Sequence, residues 1–420
     1  MKEMVTERQN LFEPNNQMGF YIEMSYVCYE DLKNAIETAY LNNEVTCSRI
    51  VLTGDGQAFY EKMDHSGCRV ERSHLEWKEL LNQQEKIPFV LEEGEMVRCF
   101  IHEFDDKTGL FIYAHHVVAD GKGMMCFIND VMNALCHKPL TYKPLNILTK
   151  EAIEKEYKLP WIVKAYVTFS NVRYKLFVNK VCQWDDYYGI NQHYWNQYES
   201  KIMHHTFTKE ETDKIKIIAK KENVSVNTFL TTAFIKHIKG KKVVGWIMSL
   251  RDKGNETMAN LISGAWVSMR YNRNLSFGDN ARKVHKRIQG AISFLKHFVI
   301  SFLSSLSPNM IDHILLHKHG YKKHPLMEEM CVVTGYKGNI MSRDIGITNL
   351  TVLDVAHKFE HYVIDQLIVV APLISYTKTV ICSSTFNGQL TLAYHDMVYK
   401  GKDNSAYFKQ VLNNIKECLK

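Results

Sequence analysis

The segment Tyr113-Ala114-His115-His116-Val117-Val118-Ala119-Asp120-Gly121 ends an apolar run with two adjacent imidazoles, then places an Asp-Gly pair. Histidine changes charge near neutral pH, so an imidazole held in one tautomer can take a proton from a hydroxyl, amine or thiol. Holding it needs a rigid support, and a strand end supplies one. An Asp four residues on can fix the turn through a partner cation, and Gly121 lets the backbone turn tightly into the next element. A buried His pair before an ordinary Asp-Gly turn would look the same in isolation, so the surrounding elements have to decide.

Those elements agree with a positioned site. Residues 95–116 alternate apolar and polar in two runs joined by Asp105-Asp106-Lys107-Thr108-Gly109, which predicts a hairpin whose second strand delivers the histidines. Residues 122–138 predict a helix, so the motif sits on a strand–turn–helix junction. Upstream, 29–43 has helical spacing with Leu32, Ala35, Ile36 and Ala39 on one side, SRIVLTG is a strand, and 73–85 is a second helix. Residues 1–18 read as a ragged leader, and about 139–200 as a Tyr-, Trp- and Lys-rich connector with a long helix from 160 to 180. A second block follows from about 203. It opens on the capping box Thr208–Glu211 and continues with helices, strands, an Asn387-Gly388 hairpin and a closing helix.

Other pairs carry less. His204-His205 precedes a capping box with no Asp-Gly after it and reads as a solvated strand or loop. Asp105-Asp106 and Asp185-Asp186 are adjacent carboxylates, which point apart and suit turns better than acid–base work. Asp130, two turns into its helix, is expected to be solvated. The lysine clusters 239, 241, 242 and 318, 322, 323 read as solvated turns. No Gly-rich phosphate loop and no G-x-S-x-G elbow is present.

The string His115-His116-Val-Val-Ala-Asp120-Gly121 resembles the H-H-x-x-x-D-G signature of the chloramphenicol acetyltransferase-like superfamily. That superfamily takes in condensation domains, polyketide-associated acyltransferases and alcohol acyltransferases. Residues 87–101, 222–234, 247–270 and 347–354 are similar to further segments of it. The resemblance implies an α/β (α+β) fold of two lobes, each a mixed sheet flanked by helices, with an active-site tunnel between them. It implies His116 as general base in natural-product acyl transfer, His115 supporting the loop, Gly121 serving the turn, and Asp120 pairing with a cation, for which Arg251 is the candidate. Asn349 is a possible oxyanion donor or tunnel residue. Three departures stand out. Gly123 occupies a position where many relatives have Ser, the plant-type D-F-G-W-G segment is absent, and Thr348-Asn349-Leu350-Thr351 replaces Ser-Asn-Leu-Gly.

Composition bounds the rest. With 420 residues and 45% apolar content the chain can build two lobes: 1–165 carrying the motif, a connector 166–202, and 203–420. The net charge of +6 on 52 basic and 46 acidic residues leaves no dominant basic stripe, so nucleic acid is not expected. Ten scattered cysteines without a C-x-x-C pair predict free thiols and no metal site. The polar start and the short, Pro-containing run LIVVAPLI predict a cytoplasmic protein without a transmembrane segment. The expected enzyme has no permanently bound cofactor. It stands alone and uses acyl-CoA, or a carrier-protein thioester, as co-substrate with a small-molecule acceptor, tipped toward an alcohol because only Asp120 and Asp130 are carboxylates near the motif. The alternatives are a peptide-type condensation enzyme working on carrier-bound substrates, with an acyl or peptidyl carrier protein as partner, and a non-catalytic binding module.

Overall fold

The computed structural model describes every residue except 66, 239, 253, 335–343, 375–376, 400 and 402–403, together with the backbone but not the side chains of 332–334. Its strands are β1 (Lys2–Glu3), β2 (Gln17–Ser25), β3 (Ser48–Leu52), β4 (Ala58–Lys62), β5 (Arg69–Arg72), β6 (Val97–Glu103), β7 (Lys107–His115), β8 (Glu199–Thr206), β9 (Lys242–Ser249), β10 (Ile262–Met269), β11 (Ile345–Val352), β12 (Lys358–Phe359), β13 (Tyr362–Val370), β14 (Thr379–Phe386) and β15 (Gln389–Val398). Two six-stranded mixed sheets dominate. The first runs β12-β13-β2-β7-β6-β5, the second β10-β9-β11-β14-β15-β8, and a small sheet β1-β4-β3 sits apart from both.

β6 and β7 form the expected antiparallel hairpin, with Ile101 opposite Leu110 and Val97 opposite Ala114. From Thr108 to His115 every residue of β7 is buried, as expected of a central strand covered on both faces. Helix Gly121–Leu135 follows and packs on helix Tyr29–Asn42, which buries Leu32, Ala35, Ile36, Ala39 and Tyr40 at helical spacing. Tyr40 meets Phe127 edge-on at 5.4 Å. In the second sheet the β14–β15 hairpin turns on Asn387 and Gly388 with φ of 46° and 79°, the conformation that favours this dipeptide.

Three sequence expectations change. The stretch 1–18 is not a ragged leader: Met4 and nearly everything from Thr6 to Ile22 are buried. Arg8 donates to Asp312 and to the Gly56 carbonyl, Trp195 donates to the Pro14 carbonyl, and Asn15 donates to the Tyr194 hydroxyl. The segment continues directly into β2, the strand between β7 and β13. The boundary at 203 follows the chain but not the sheets. β8 begins at Glu199, and the C-terminal half sends β12 and β13 back into the first sheet, where Leu367 pairs with Ile22. Thus LIVVAPLI is largely a buried strand and its exit. The connector 166–202 has the long helix expected near 160–180 but carries a second helix as well. It holds the end of helix Trp161–Phe177 and all of helix Trp184–Trp195. Among the described residues no single helix is long and apolar enough to cross a membrane.

Candidate active site

β7 ends at His115, and His116 starts the turn. The His116 N–H donates to the Asn16 carbonyl at 3.1 Å, and the Val118 N–H donates to the His115 carbonyl at 3.0 Å. The histidines diverge. His115 is fully buried, edge-on to Phe89 at 5.8 Å, and its Nδ1 accepts from the Val117 N–H at 3.3 Å. Burial, then the neighbouring His116 and Arg98, pull its pKa down to about 3, so it is a neutral packing group.

His116 lines a cavity between the two sheets. Its carbonyl accepts from the Asn260 carboxamide Nδ2 at 3.0 Å, and the same nitrogen lies 3.2 Å from His116 Nδ1. Burial lowers its pKa from 6.5, against the Asp120 charge and a hydrogen bond to its own carbonyl, both of which raise it.

Asp120 is a junction. It N-caps helix Gly121–Leu135, with Oδ1 accepting from the Gly123 N–H at 2.7 Å. The same oxygen accepts from Arg251 Nη2 at 3.1 Å, and Oδ2 accepts from the Leu261 N–H at 2.9 Å. Arg251 also donates to the Thr257 and Ala259 carbonyls at 2.8 and 2.9 Å and so shapes the loop between β9 and β10. Thus Asp120 and Arg251 tie the first sheet's motif to the second sheet's loop.

Gly121 has a different job from the one its type suggests. Its φ is not positive; instead, a Cβ there would meet Leu350 Cδ2 at 2.9 Å. A side chain here would press on the Leu350 side chain of β11, which would have to shift. Gly123 is tighter, because a Cβ would meet Ala119 Cβ at 2.9 Å and the Ala259 backbone at 3.0 Å, which explains why no serine stands there. Asn349 lines the same cavity from a β-bulge in β11. Its Oδ1 accepts from the Thr351 N–H at 2.8 Å, which leaves its NH2 to donate.

The cavity is continuous with solvent at its mouth. Its walls are mainly apolar, with Met18, Trp246, Leu303, Ile347 and Val370 among them. Sequence reasoning missed Asn16 and Glu13, which line this cavity, and Asn260, which bonds His116. Asn260 stands just before a strand that was recognised, but nothing in its spacing marks it. Asn16 and Glu13 lie in the polar stretch read as a leader.

The remaining candidates lie elsewhere. His204 and His205 are half-buried on β8, and burial, with Lys78 next, pushes His204 down to about 4. Asp186 completes a capping box with Gln183 and pairs with Lys322. Asp105 and Asp106 are exposed in their turn. Asp130 is not solvated: it is buried, with Lys143 at 2.6 Å and Asn43 at 2.9 Å. Of the lysine clusters, Lys242 pairs with Asp344 at 3.0 Å, and Lys239 lies outside the described residues.

Comparison with solved structures places this arrangement. The first condensation domain of the CDA synthetase superposes with a TM-score of 0.68 at 12% identity, covering 100% of this chain and 96% of that one. The chain has the chloramphenicol acetyltransferase-like fold. Polyketide synthase associated protein 5 from Mycobacterium tuberculosis shares it, with a TM-score of 0.62, 13% identity and coverage of 100% and 96%. So does TRI3 trichothecene 15-O-acetyltransferase from Fusarium sporotrichioides, with a TM-score of 0.65, 9% identity and coverage of 100% and 94%. In sequence, the chain is 22% identical over 288 residues to Bacitracin synthase 3 from Bacillus licheniformis, across 63% of this chain and 4% of that much longer protein. No family model matches the chain. In this acetyltransferase-like fold, the cavity that holds His116 lies where the two sheets meet, with Asp120–Arg251 at its edge.

Proposed function

We infer that the protein is an acyltransferase that moves an acyl group from a thioester to an alcohol or amine, with His116 as the general base. The observation that carries this reading is a buried, neutral imidazole at the wall of a cavity shared by both sheets. The His116 imidazole takes the proton from the acceptor as its oxygen or nitrogen attacks the thioester carbonyl carbon. The oxyanion that forms is within the chemistry of the Asn349 NH2 group. Collapse breaks the C–S bond, and the imidazolium returns its proton to the leaving thiolate. Asp120 and Arg251 act as positioning residues, and His115 packs the loop.

Acyl-CoA is the first donor to test. A carrier-bound thioester is the second, favoured by the likeness to a condensation domain and to Bacitracin synthase 3. The sequence-based preference for an alcohol acceptor is kept, because the carboxylate of Glu13 at the cavity wall is already engaged, with His319 Nε2 at 3.4 Å.

The test is thiol release from a panel of acyl-CoAs and carrier-loaded acyl chains, with matched alcohols and amines and mass spectrometry of the product. Wild type should turn over at least one donor, and His116→Ala should lose roughly 100- to 10,000-fold in rate while keeping its fold. An unaffected rate in that variant excludes the mechanism. No turnover and no binding of any thioester favours a non-catalytic module.

A further inference from the structure

Helix Trp161–Phe177 wears its apolar side outward. Val167, Ser170 and Tyr174, at i, i+3 and i+7, face the protein, and Asn171 fastens the helix by bonding the Ser305 carbonyl and the Ser307 N–H. The opposite side presents Trp161 at 78% exposure, Phe169 at 59% and Leu176 at 71%, with Ile162, Val172 and Phe177 beside them. Positions 161, 165, 169, 172 and 176 form one continuous stripe at helical period. Phe294, on the neighbouring helix Phe277–Ser305, is also exposed. Soluble surfaces scatter single apolar side chains, whereas a contiguous stripe of this kind marks an interaction surface.

The charges define the partner. The helix has no Asp or Glu. Arg173 is taken by Glu329, while Lys164 and Lys175 are exposed on the helix and Lys158 and Lys180 are exposed at its two ends. The acidic Glu151, Glu154 and Glu156 belong to the preceding helix Lys150–Glu156. An apolar face rich in aromatics and rimmed by lysines suits the headgroup layer of a bilayer, with the rings inserted and the ammonium groups reaching the phosphates. A second copy of the chain is a poorer occupant, because an isologous pairing sets these lysines against themselves.

We propose that helix Trp161–Phe177 docks the protein on an anionic lipid surface. The helix leans on Phe277–Ser305, whose Val299, Ile300 and Leu303 line the His116 cavity, so the docked face lies beside the cavity wall. The proposal does not depend on the catalytic reading.

The experiment is co-sedimentation of the full chain with vesicles of phosphatidylcholine alone and of phosphatidylcholine mixed with phosphatidylglycerol. Binding to the mixed vesicles is expected, weaker to the neutral ones, and declining with salt. The double variant Phe169→Ser, Leu176→Ser should weaken binding roughly tenfold or more, since each loses an inserted apolar group. Lys164→Glu with Lys175→Glu should remove the preference for phosphatidylglycerol. Ile217→Ser, at a site 65% exposed on helix Lys209–Lys221, should leave binding unchanged. All these side chains are exposed or near the surface, so melting temperature should not move. Failure to bind either vesicle overturns the proposal, as does equal weakening by Ile217→Ser. It also fails if light scattering shows a dimer that only the Phe169→Ser, Leu176→Ser variant dissolves, without vesicle binding.

Discussion

Arg251 Nη2 lies 3.1 Å from Asp120 Oδ1, and both side chains are almost fully buried where the two sheets meet. Arg251→Ala leaves the Asp120 carboxylate buried without its counter-charge, at a cost of about 3–5 kcal/mol for a pair of this kind. Melting temperature and acyl-transfer rate should fall together. Arg251→Lys should recover part of the stability but not the fork that also holds Thr257 and Ala259. Unchanged melting and rate in Arg251→Ala would show that the pair holds nothing in place.

The pH dependence follows from His116. Its pKa is lowered below 6.5 by burial, and the neutral ring is the working base. A plot of kcat/KM against pH should therefore be flat through neutrality and fall on the acid side with a midpoint below 6.5. Asp120 raises this pKa, so Asp120→Asn should shift the midpoint further down. A midpoint at or above 6.5 in wild type would contradict the assignment. His115, at about 3, should contribute no limb above pH 4.

Gly123→Ser should be harmful. Its Cβ would press on the Ala259 backbone and on Ala119, neither of which is a flexible side-chain end. Overpacking of this kind costs about 1–3 kcal/mol. It also pushes on the N–H that Asp120 caps, so rate should drop with stability. Thermal melts beside the thiol-release assay measure both, and a variant as stable and active as wild type would refute the steric argument.

Glu7 offers a stability test away from catalysis. Burial pushes its carboxyl up to about 7 from 4.5. The folded chain thus holds this proton more tightly than the unfolded chain. The associated stability is fully present below pH 4.5 and is lost as pH rises through about 7, with about 3 kcal/mol at stake. Glu7→Gln stays neutral throughout. Relative to wild type it should gain stability between pH 5 and pH 8, read by urea unfolding at both pH values. A constant difference would show that Glu7 does not titrate in this window.

The motif, its strand–turn–helix setting and the Asn387-Gly388 hairpin were legible because each is written in local spacing. β7 is an apolar run that must end, helix Gly121–Leu135 must start at a capping Asp, and the Asn-Gly dipeptide suits positive φ. The resemblance extended that local reading to a fold and singled out Arg251. The opening stretch was not legible. Its Glu, Arg and Asn side chains look solvated in sequence, and only partners far along the chain, such as Asp312 for Arg8 and Tyr194 for Asn15, make their burial possible. For the same reason Asn16 and Glu13 gave no signal as cavity residues, nor Asn260 as a partner of His116. By itself the sequence determined which residue types stand at the strand end and which elements carry them. Tertiary structure alone decided that β13 returns to pair with β2, that Gly121 is small for Leu350, and that Asp130 is neutralised by Lys143. Each of these depends on a long-range contact, and local periodicity carries no information about which distant residue will supply it.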